Sequence, residues 1–375
     1  MSKKVVLAYS GGLDTSVAIK WIMEKYEADV ITVTLDLGQR EDLKVIEKRA
    51  IAIGAIKHYS IDAKNEFAQN YIAKAIKANG MYEDKYPLST ALGRPLIAKK
   101  LVEIAERENA YAVAHGSTGK GNDQVRFDVT IKALNPLLQI IAPIREWDLS
   151  RDKEIEYVKK YNLPVPIKKS KYSIDQNLWG RSIECGVMED PWREPPDDAF
   201  IWVKPAEKTP DQPEYVEISF EKGIPVAINN KKMDGISLIQ QMNELAGKHG
   251  VGKVDHIEDR VVGIKSREIY EAPAAIAIIQ AHRALEAMTL SREQLRFKEK
   301  VSAEYSDLIY DGLWFTSFQE DLAAYITSSQ RFVSLYWCWR GHHCQRRAIV
   351  SQIAPGPDSH FAGGGWSQRD YQLSG

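Results

Sequence analysis

The chain has 375 residues, of which 44% are hydrophobic and 27% charged, a globular composition that excludes disorder throughout. Its 50 Lys and Arg residues nearly balance 51 Asp and Glu residues, so it lacks the broad positive field of a nucleic-acid-binding protein, and no such partner is expected. No apolar run suits a membrane, no signal-peptide pattern occurs, and three scattered cysteines cannot form a disulfide framework; we expect a cytoplasmic protein.

Residues 1–165 alternate short β-rich runs with segments of helical period. This alternation is typical of a parallel sheet covered by helices, so we predict an α/β domain here. The predicted strands are Val5–Tyr9, Val30–Leu35, His58–Ile61, Tyr111–His115 and Ile140–Ile144. Apolar residues at three- and four-residue spacing predict a helix that packs on the sheet: Leu92, Leu96, Ile97, Leu101, Ile104 and Ala105.

The alternation ends near Pro164, and residues 166–333 are predicted to form a second, α+β domain. Its strand candidates are Phe200–Val203, Tyr215–Phe220 and Pro225–Ile228, with Lys222-Gly223 as a hairpin turn. Three helices are expected to follow. Their start signals are Pro273, the capping-box pair Ser291 and Gln294, and the similar pair Ser317 and Glu320.

Residues 334–375 lack helical or strand periodicity and are broken by Gly363-Gly364-Gly365, so a poorly ordered tail is expected. The tail contains potential zinc ligands at Cys338, His342, His343 and Cys344. Three adjacent ligands suit a single tetrahedral site poorly, so zinc is disfavoured.

The loop Ser10–Ser16 lies between the first predicted strand and a helix. Free backbone N–H groups and the positive end of the helix dipole converge there, and Gly11 and Gly12 let an anion approach the backbone. Asp14 cannot donate to phosphate, so its expected role is to hold Mg²⁺, which bridges phosphate oxygens. We therefore predict a phosphate-binding loop in a nucleotide-binding domain. The simpler alternative is an ordinary turn with Asp and Ser as helix caps.

The sequence contains neither G-x-x-x-x-G-K-[ST] nor G-x-G-x-x-G, which removes the usual P-loop and dinucleotide-binding interpretations. A second polar loop, His115–Phe127, follows the fourth predicted strand. Because ligands in open α/β sheets bind beyond the carboxyl ends of the strands, the two loops are expected to meet.

With these two loops, the sequence resembles the argininosuccinate synthase family of the ATP-pyrophosphatase group. The resemblance runs from about Lys4 to Phe332 and includes Tyr86-Pro87-Leu88, Ser173–Leu178, Gly247–Gly252 and Lys265–Glu271. It implies an ATP-pyrophosphatase-type domain over 1–165 and a substrate-binding synthetase domain over 166–333. It also implies ATP and Mg²⁺ as cofactors, with citrulline and aspartate as substrates.

The resemblance implies that citrulline attacks the α-phosphate of ATP, which releases pyrophosphate, and that aspartate then displaces AMP from the citrullyl-adenylate. Asp14 and Asp123 are the catalytic candidates. The implied ATP contacts are Ala8, Tyr9, Ser10, Gly11, Gly12, Leu13, Asp14, Thr15, Ser16, Leu35 and Gly116. Thr118, Asn122 and Asp123 would bind aspartate. Citrulline would contact Tyr86, Ala91, Asn122, Arg126, Ser173, Ser182, Glu258 and Tyr270.

Three alternatives to this function remain at the level of sequence. An amidotransferase-type synthetase would need an ammonia source, commonly a cysteine-dependent glutaminase, yet no cysteine precedes Cys185. A tRNA-thiolating enzyme would need paired reactive cysteines and a basic surface, and the sequence shows neither. A non-catalytic nucleotide-binding regulator is disfavoured by Asp14, Asp123 and Arg126.

The family assembles as a homotetramer through a C-terminal helix, which residues 334–375 do not resemble. We therefore expect this chain to form monomers or smaller assemblies.

Overall fold

The computed structural model describes residues 3–119, 121–147, 151–165, 171–212 and 214–334, together with backbone strands within 337–353. The strands of the first part are β1 (Lys3–Ala8), β2 (Ala28–Asp36), β3 (Lys57–Asp62), β4 (Ala112–Ala114) and β5 (Gln139–Ile141). Its helices are α1 (Leu13–Tyr26), α2 (Leu43–Ile53), α3 (Lys64–Glu66), a π-helical stretch (Phe67–Ile72), α4 (Ala73–Ala78), α5 (Ser89–Glu108), α6 (Asn122–Leu134), α7 (Pro143–Trp147) and α8 (Arg151–Lys160).

The first five strands form one parallel sheet in the order β3-β2-β1-β4-β5, which confirms the predicted α/β class. Alternate residues of the central strand β1 pack on opposite faces of this sheet. Val6 belongs to the apolar cluster that contains Leu96 of α5, whereas Leu7 belongs to the cluster that contains Val17 and Ile22 of α1. Helices therefore cover both faces of β1.

The predicted fifth strand, Ile140–Ile144, is correct only in its first part. The strand ends at Ile141, and α7 begins at Pro143. Proline has no N–H for a strand ladder, whereas its fixed φ suits the first turn of a helix.

The second part contains antiparallel sheets and long helices, as the predicted α+β class requires. Its strands are β6 (Ser173–Gln176), β7 (Arg181–Glu184), β8 (Glu214–Glu221), β9 (Ile224–Ile228), β10 (Lys231–Lys232), β11 (Lys253–Asp259) and β12 (Lys265–Glu271). Its helices are α9 (Gly235–Lys248), α10 (Pro273–Thr289), α11 (Arg292–Tyr310) and α12 (Ser317–Ser329). Short 3₁₀ turns span Gly186–Glu189, Asp197–Ala199, Ala206–Lys208 and Gln330–Phe332.

One antiparallel sheet has the order β11-β12-β7-β6, and another contains β10-β9-β8. Backbone strands β13 (Trp337–Trp339), β14 (His343–Gln345) and β15 (Ala348–Ile353) follow, and β15 lies antiparallel to β8.

The segment Phe200–Val203, predicted as a strand, is not one. The backbone N–H groups of Ile201, Trp202 and Val203 donate instead to the carboxylate of Glu271, at 2.8 to 3.2 Å. A buried carboxylate that collects several N–H donors holds this segment as a loop around β12, so the segment has no ladder partner.

The predicted hairpin and two of the three predicted helix starts are confirmed. Lys222 and Gly223 both have positive φ, 50° and 75°, as a tight turn between β8 and β9 requires. Pro273 begins α10, and Ser291 forms a complete capping box with Gln294 at the start of α11. At α12 the cap is Thr316 rather than Ser317, and its side chain accepts a hydrogen bond from the N–H of Gln319.

Val333, the last residue before the tail, lies in the core. Val333 is fully buried, and its carbonyl accepts a hydrogen bond from the N–H of Gly223 at 2.7 Å. The side chains of the zinc candidates Cys338, His342, His343 and Cys344 lie outside the described residues. Among the helices that are described, none is both long and apolar enough to cross a bilayer.

We predict that a chain cut after Ser334 keeps its fold, because the cut retains Val333 and the pairing of β8 with β9, although it removes β15 from the other edge of β8. The thermal unfolding midpoint should fall by no more than about 2 °C. Calorimetry of the cut and full-length chains would measure this, and light scattering should show monomers or small assemblies for both. A much larger loss, or a full-length tetramer that the cut dissociates, would show that the tail stabilises the fold or the assembly.

Candidate active site

A cavity of about 470 Å³ lies where the strand order of the parallel sheet reverses, beyond the carboxyl ends of β1 and β4. Connections from these neighbouring strands diverge to opposite sides, which opens a crevice between their loops. Side chains from α5, α6, β6, β7, β11 and β12 complete the cavity. Both parts of the chain therefore contribute to its walls.

The loop after β1 has the geometry of an anion-binding turn. Gly11 has a φ of +77°, and a Cβ at this position would lie 3.0 Å from the side chain of Ile46, so glycine is required. Gly12 is the N-cap residue of α1 and has no side chain, and Ser10 Oγ accepts a hydrogen bond from its N–H at 3.3 Å. The positive end of the α1 dipole faces this glycine turn, which favours an anion site.

Hydrogen bonds between hydroxyl groups hold this loop in place. Ser10 Oγ and Thr15 Oγ1 are 3.1 Å apart, and Tyr9 forms a hydrogen bond with the buried Ser16 at 3.0 Å. These bonds fix the turn before any ligand binds, which reduces the ordering cost of binding.

The second polar loop touches the first. A Cβ on Gly116 would lie 2.8 Å from Cγ2 of Thr15, so only glycine allows this approach. His115 anchors the loop: its Nε2 is 2.9 Å from Asp128 Oδ1, its ring stacks on Phe127, and its Nδ1 accepts a hydrogen bond from the N–H of Ser117. The predicted meeting of the two loops is observed.

A chain of alternating charges crosses the cavity wall. Asp123, in the first turn of α6, pairs with Arg94 at 2.7 Å and with Arg126 at 3.0 Å, and Arg94 also pairs with Asp175 of β6. Burial tends to raise the pKa of Asp123, but the two guanidinium groups outweigh it and hold that pKa below its usual value. Asp123 is therefore ionised at neutral pH.

Arg126 is almost fully buried, at 2% exposure. Its Nε donates to the carbonyl of Tyr310 at 2.8 Å and its Nη1 pairs with Asp123. Its Nη2 is buried with no hydrogen-bond partner among the described residues. A buried donor without an acceptor costs free energy, so this atom is suited to a ligand oxygen.

Aromatic residues and Glu258 form the opposite side of the cavity. Tyr86 stacks on Tyr270 with ring centroids 4.2 Å apart, and the hydroxyl of Tyr270 donates to Glu258 at 2.6 Å. Burial tends to raise the pKa of Glu258, but the neighbouring His256 and the hydrogen bonds from Tyr270 and Tyr310 lower it overall. The cavity thus offers a second buried anion, which suits an ammonium group.

Most of the predicted site residues meet in this one cavity. Those that line it are Ala8, Tyr9, Ser10, Asp14, Thr15, Leu35, Tyr86, Gly116, Thr118, Asn122, Asp123, Arg126, Ser173, Ser182, Glu258 and Tyr270. The lining does not include Gly11, Gly12, Leu13, Ser16 or Ala91. Of these, Ser16 and Ala91 support cavity residues from behind: Ser16 bonds to Tyr9, and the N–H of Ala91 donates to the hydroxyl of Tyr86.

Charged residues that sequence reasoning missed also line the cavity. They are Glu41, Arg94, Asp175, Glu184, Arg260 and Glu268. Two of them carried a readable signal, because Arg94 is a charge on a helix predicted to pack on the sheet, and Glu184 shares a strand face with Ser182. Asp175 and Glu268 lie inside motifs that the family resemblance includes, whereas Arg260 had no signal of its own.

The glycine turn and helix N-terminus at the reversal of a parallel sheet, with a charged cavity beside them, define a nucleotide-binding α/β enzyme. Family models agree: residues 4–164 match the arginosuccinate synthase N-terminal HUP domain, and residues 172–336 match the arginosuccinate synthase C-terminal domain. The chain belongs to the argininosuccinate synthase family, which confirms the resemblance and separates it from amidotransferase-type and tRNA-thiolating enzymes.

Individual relatives support the same assignment. The argininosuccinate synthase of Dehalococcoides mccartyi is 61% identical over 89% of this chain and 82% of its own length. Those of Shouchella clausii and Pyrococcus furiosus are each 57% identical over 88% of this chain, and over 82% and 80% of their own lengths.

We predict that Glu184→Gln stabilises the protein more at pH 8 than at pH 5. Burial, with the neighbouring Glu268 and Asp123, raises the pKa of Glu184 to about 7 in the folded chain, from 4.5. The folded state thus holds this proton more tightly than the unfolded state, and stability falls as pH rises from 4.5 to 7. At pH 8 the substitution should therefore raise the free energy of unfolding by at most about 3 kcal/mol.

Unfolding in urea at both pH values would measure this effect, with the exposed Glu189→Gln as the matched control. An equal effect of Glu184→Gln at the two pH values would contradict the assigned pKa.

Proposed function

We propose that this chain condenses citrulline with aspartate to argininosuccinate and cleaves ATP to AMP and pyrophosphate. The observation that carries the proposal is the buried Nη2 of Arg126, which lacks a hydrogen-bond partner among the described residues of the cavity wall. An amino-acid carboxylate is the planar anion that a guanidinium group binds best. The nucleotide loop alone would not call for such a donor.

ATP is proposed to bind along the loop after β1, with its phosphates at the N-terminus of α1. Ser10 and Thr15 offer hydroxyl donors, and Gly116 closes the other side of the loop. Ala8 and Leu35 lie at the carboxyl ends of β1 and β2, where they contribute to the apolar part of the wall. N–H donors fixed before the reaction stabilise the charge that develops on departing pyrophosphate.

The residues present fit Mg²⁺, because this ion typically binds one or two carboxylates together with substrate phosphates. Asp14 lines the cavity in the first turn of α1, beside the proposed phosphate site. Among the described residues no group of three or more acidic, His or Cys side chains forms a protein-only metal site, and substrate phosphates and waters would complete the coordination of the ion. The ion would neutralise phosphate charge during adenylylation.

Citrulline is proposed to lie between Arg126 and Glu258, which would bind its carboxylate and its ammonium group. Tyr86, Tyr270, Ser173 and Ser182 line the same region and would orient its side chain, with Ala91 behind Tyr86. Thr118, Asn122 and Asp123 are proposed to bind aspartate, and Asn122 would also contact citrulline beside Arg126 and Glu258. Because Asp123 is ionised, it would hold the aspartate ammonium close to the adenylate.

The reaction then proceeds in two displacements. The ureido oxygen of citrulline forms a bond to the α-phosphorus as the bond to pyrophosphate breaks. The aspartate ammonium next loses a proton to solvent, and its amino nitrogen forms a bond to the ureido carbon. AMP leaves with the bridging oxygen, and the attacking nitrogen releases a second proton as the guanidinium product forms. The chain's own residues align the reactants in both steps, so no covalent protein intermediate is required.

We predict that pyrophosphate and AMP appear only when citrulline is present, because adenylylation requires its ureido oxygen. Phosphorus NMR of the purified chain with ATP, Mg²⁺ and citrulline would detect pyrophosphate, and added aspartate should then release AMP and yield argininosuccinate. Glutamine in place of citrulline is a matched control, since it keeps the zwitterion and lacks the ureido group. ADP and orthophosphate as primary products would overturn the mechanism.

We predict that Asp14 and Thr118 act on different substrates. Asp14→Asn should slow citrulline-dependent pyrophosphate release by about a hundredfold and raise the Mg²⁺ requirement, since an amide binds the cation weakly. Thr118→Ala should raise the KM for aspartate by about fivefold and leave that for ATP unchanged. Thr118→Ser is the control, because it keeps the hydroxyl. An Asp14→Asn variant with the parent's rate and Mg²⁺ dependence would remove the assigned role.

A further inference from the structure

The C-terminal end of α11 contacts three residues of the proposed substrate site. Tyr310, the last residue of this helix, is buried at 1% exposure. Its hydroxyl accepts a hydrogen bond from Nδ2 of Asn122 at 2.8 Å and donates to the carboxylate of Glu258. Its carbonyl accepts from Nε of Arg126 at 2.8 Å. One residue outside the predicted site thus joins residues of α6 and β11.

The aromatic ring adds a further contact to Arg126. The guanidinium carbon of Arg126 lies 4.8 Å from the centroid of the Tyr310 ring, within the range of a cation–π interaction. Tyr310 therefore constrains Arg126 through its carbonyl and its ring, while Nη2 stays without a hydrogen-bond partner among the described residues.

The backbone after α11 also lies close to Arg126, so the contact between α11 and α6 is part of the fold. Gly312 has a φ of +80°, and a Cβ there would lie 2.7 Å from Cα of Arg126. Only glycine allows the chain to turn this closely against α6.

The hydroxyl of Tyr310 also fixes the direction of a hydrogen-bond chain. Asn122 Oδ1 accepts from the N–H of Val261 at 3.0 Å, so its Nδ2 is the donor toward Tyr310. Tyr310 in turn must donate to Glu258, because an ionised carboxylate only accepts. The amide of Asn122 and the carboxylate of Glu258 are therefore held in one relative orientation.

We propose that Tyr310 is a positioning residue for the citrulline site, which holds Arg126, Asn122 and Glu258 in the arrangement that binds the substrate. This inference rests on the proposed function, since it assigns these three residues to citrulline. Tyr310 acts through them and needs no contact with the reacting atoms.

Tyr310→Phe tests the proposal, because it keeps the ring and the carbonyl and removes the hydroxyl alone. The KM for citrulline should rise by about tenfold, as expected for hydrogen bonds that involve a charged group, while the KM for ATP stays within about twofold. The matched control is Tyr82→Phe. Tyr82 stacks on Tyr310 with centroids 3.5 Å apart, but its hydroxyl donates to the carbonyl of Asp259, so its removal should leave the citrulline KM unchanged.

Steady-state kinetics of the full chain, with thermal unfolding of each variant, separates the outcomes. A selective rise in the citrulline KM for Tyr310→Phe, with a parent-like unfolding midpoint, supports the positioning role. An unchanged citrulline KM, or equal rises for citrulline and ATP, overturns it. If the parent chain releases no pyrophosphate with citrulline, the proposed function itself fails and the inference falls with it.

Discussion

The parallel pairing of β1 with both β2 and β4 is the constraint on which the site depends. Because the carboxyl ends of β1 and β4 lie at the same edge of the sheet, the loops that follow them must emerge side by side. The strand order reverses between them, so their connections part and leave a crevice. Gly116 then packs on Thr15 at a distance that excludes a side chain. The loops after β1 and β4 are thereby brought together by sheet topology alone.

Electrostatics determines what this crevice can hold. Arg94, Asp123 and Arg126 are buried enough that each ion needs an opposite partner, and their alternation supplies one for every member. Nη2 of Arg126 has no hydrogen-bond partner among the described residues, and Glu258 is a separate anion across the cavity. A zwitterionic amino acid matches both, whereas an apolar ligand would leave both charges without compensation. The wall therefore selects for substrate charge as well as for shape.

The sequence predicted what depends on neighbouring residues and missed what depends on distant ones. The first four strands, the capping box of Ser291 and the hairpin at Gly223 follow from local periodicity and turn chemistry, and all are observed. The strand predicted at Phe200–Val203 failed because Glu271, about 70 residues away, captures its N–H groups. Arg260 was missed for the same reason: its place in the cavity depends on the pairing of β11 with β12.

Signals from neighbouring residues correspond to phosphate binding, and contacts between distant residues correspond to recognition of the amino-acid substrate. In the proposed function, phosphate binding would use backbone groups of one short loop, so consecutive residues carry its signal. Recognition of the amino-acid substrate would use single side chains from many elements, and strand register decides which of them meet. Ser182 lies opposite Tyr270 and Asp175 because β7 pairs with β12 on one side and with β6 on the other. A slip of one residue would turn these side chains to the other face of the sheet.

The bond from Arg126 to Tyr310 spans 184 residues. The substrate half of the site therefore exists only once the whole chain has folded, and no short segment could encode it.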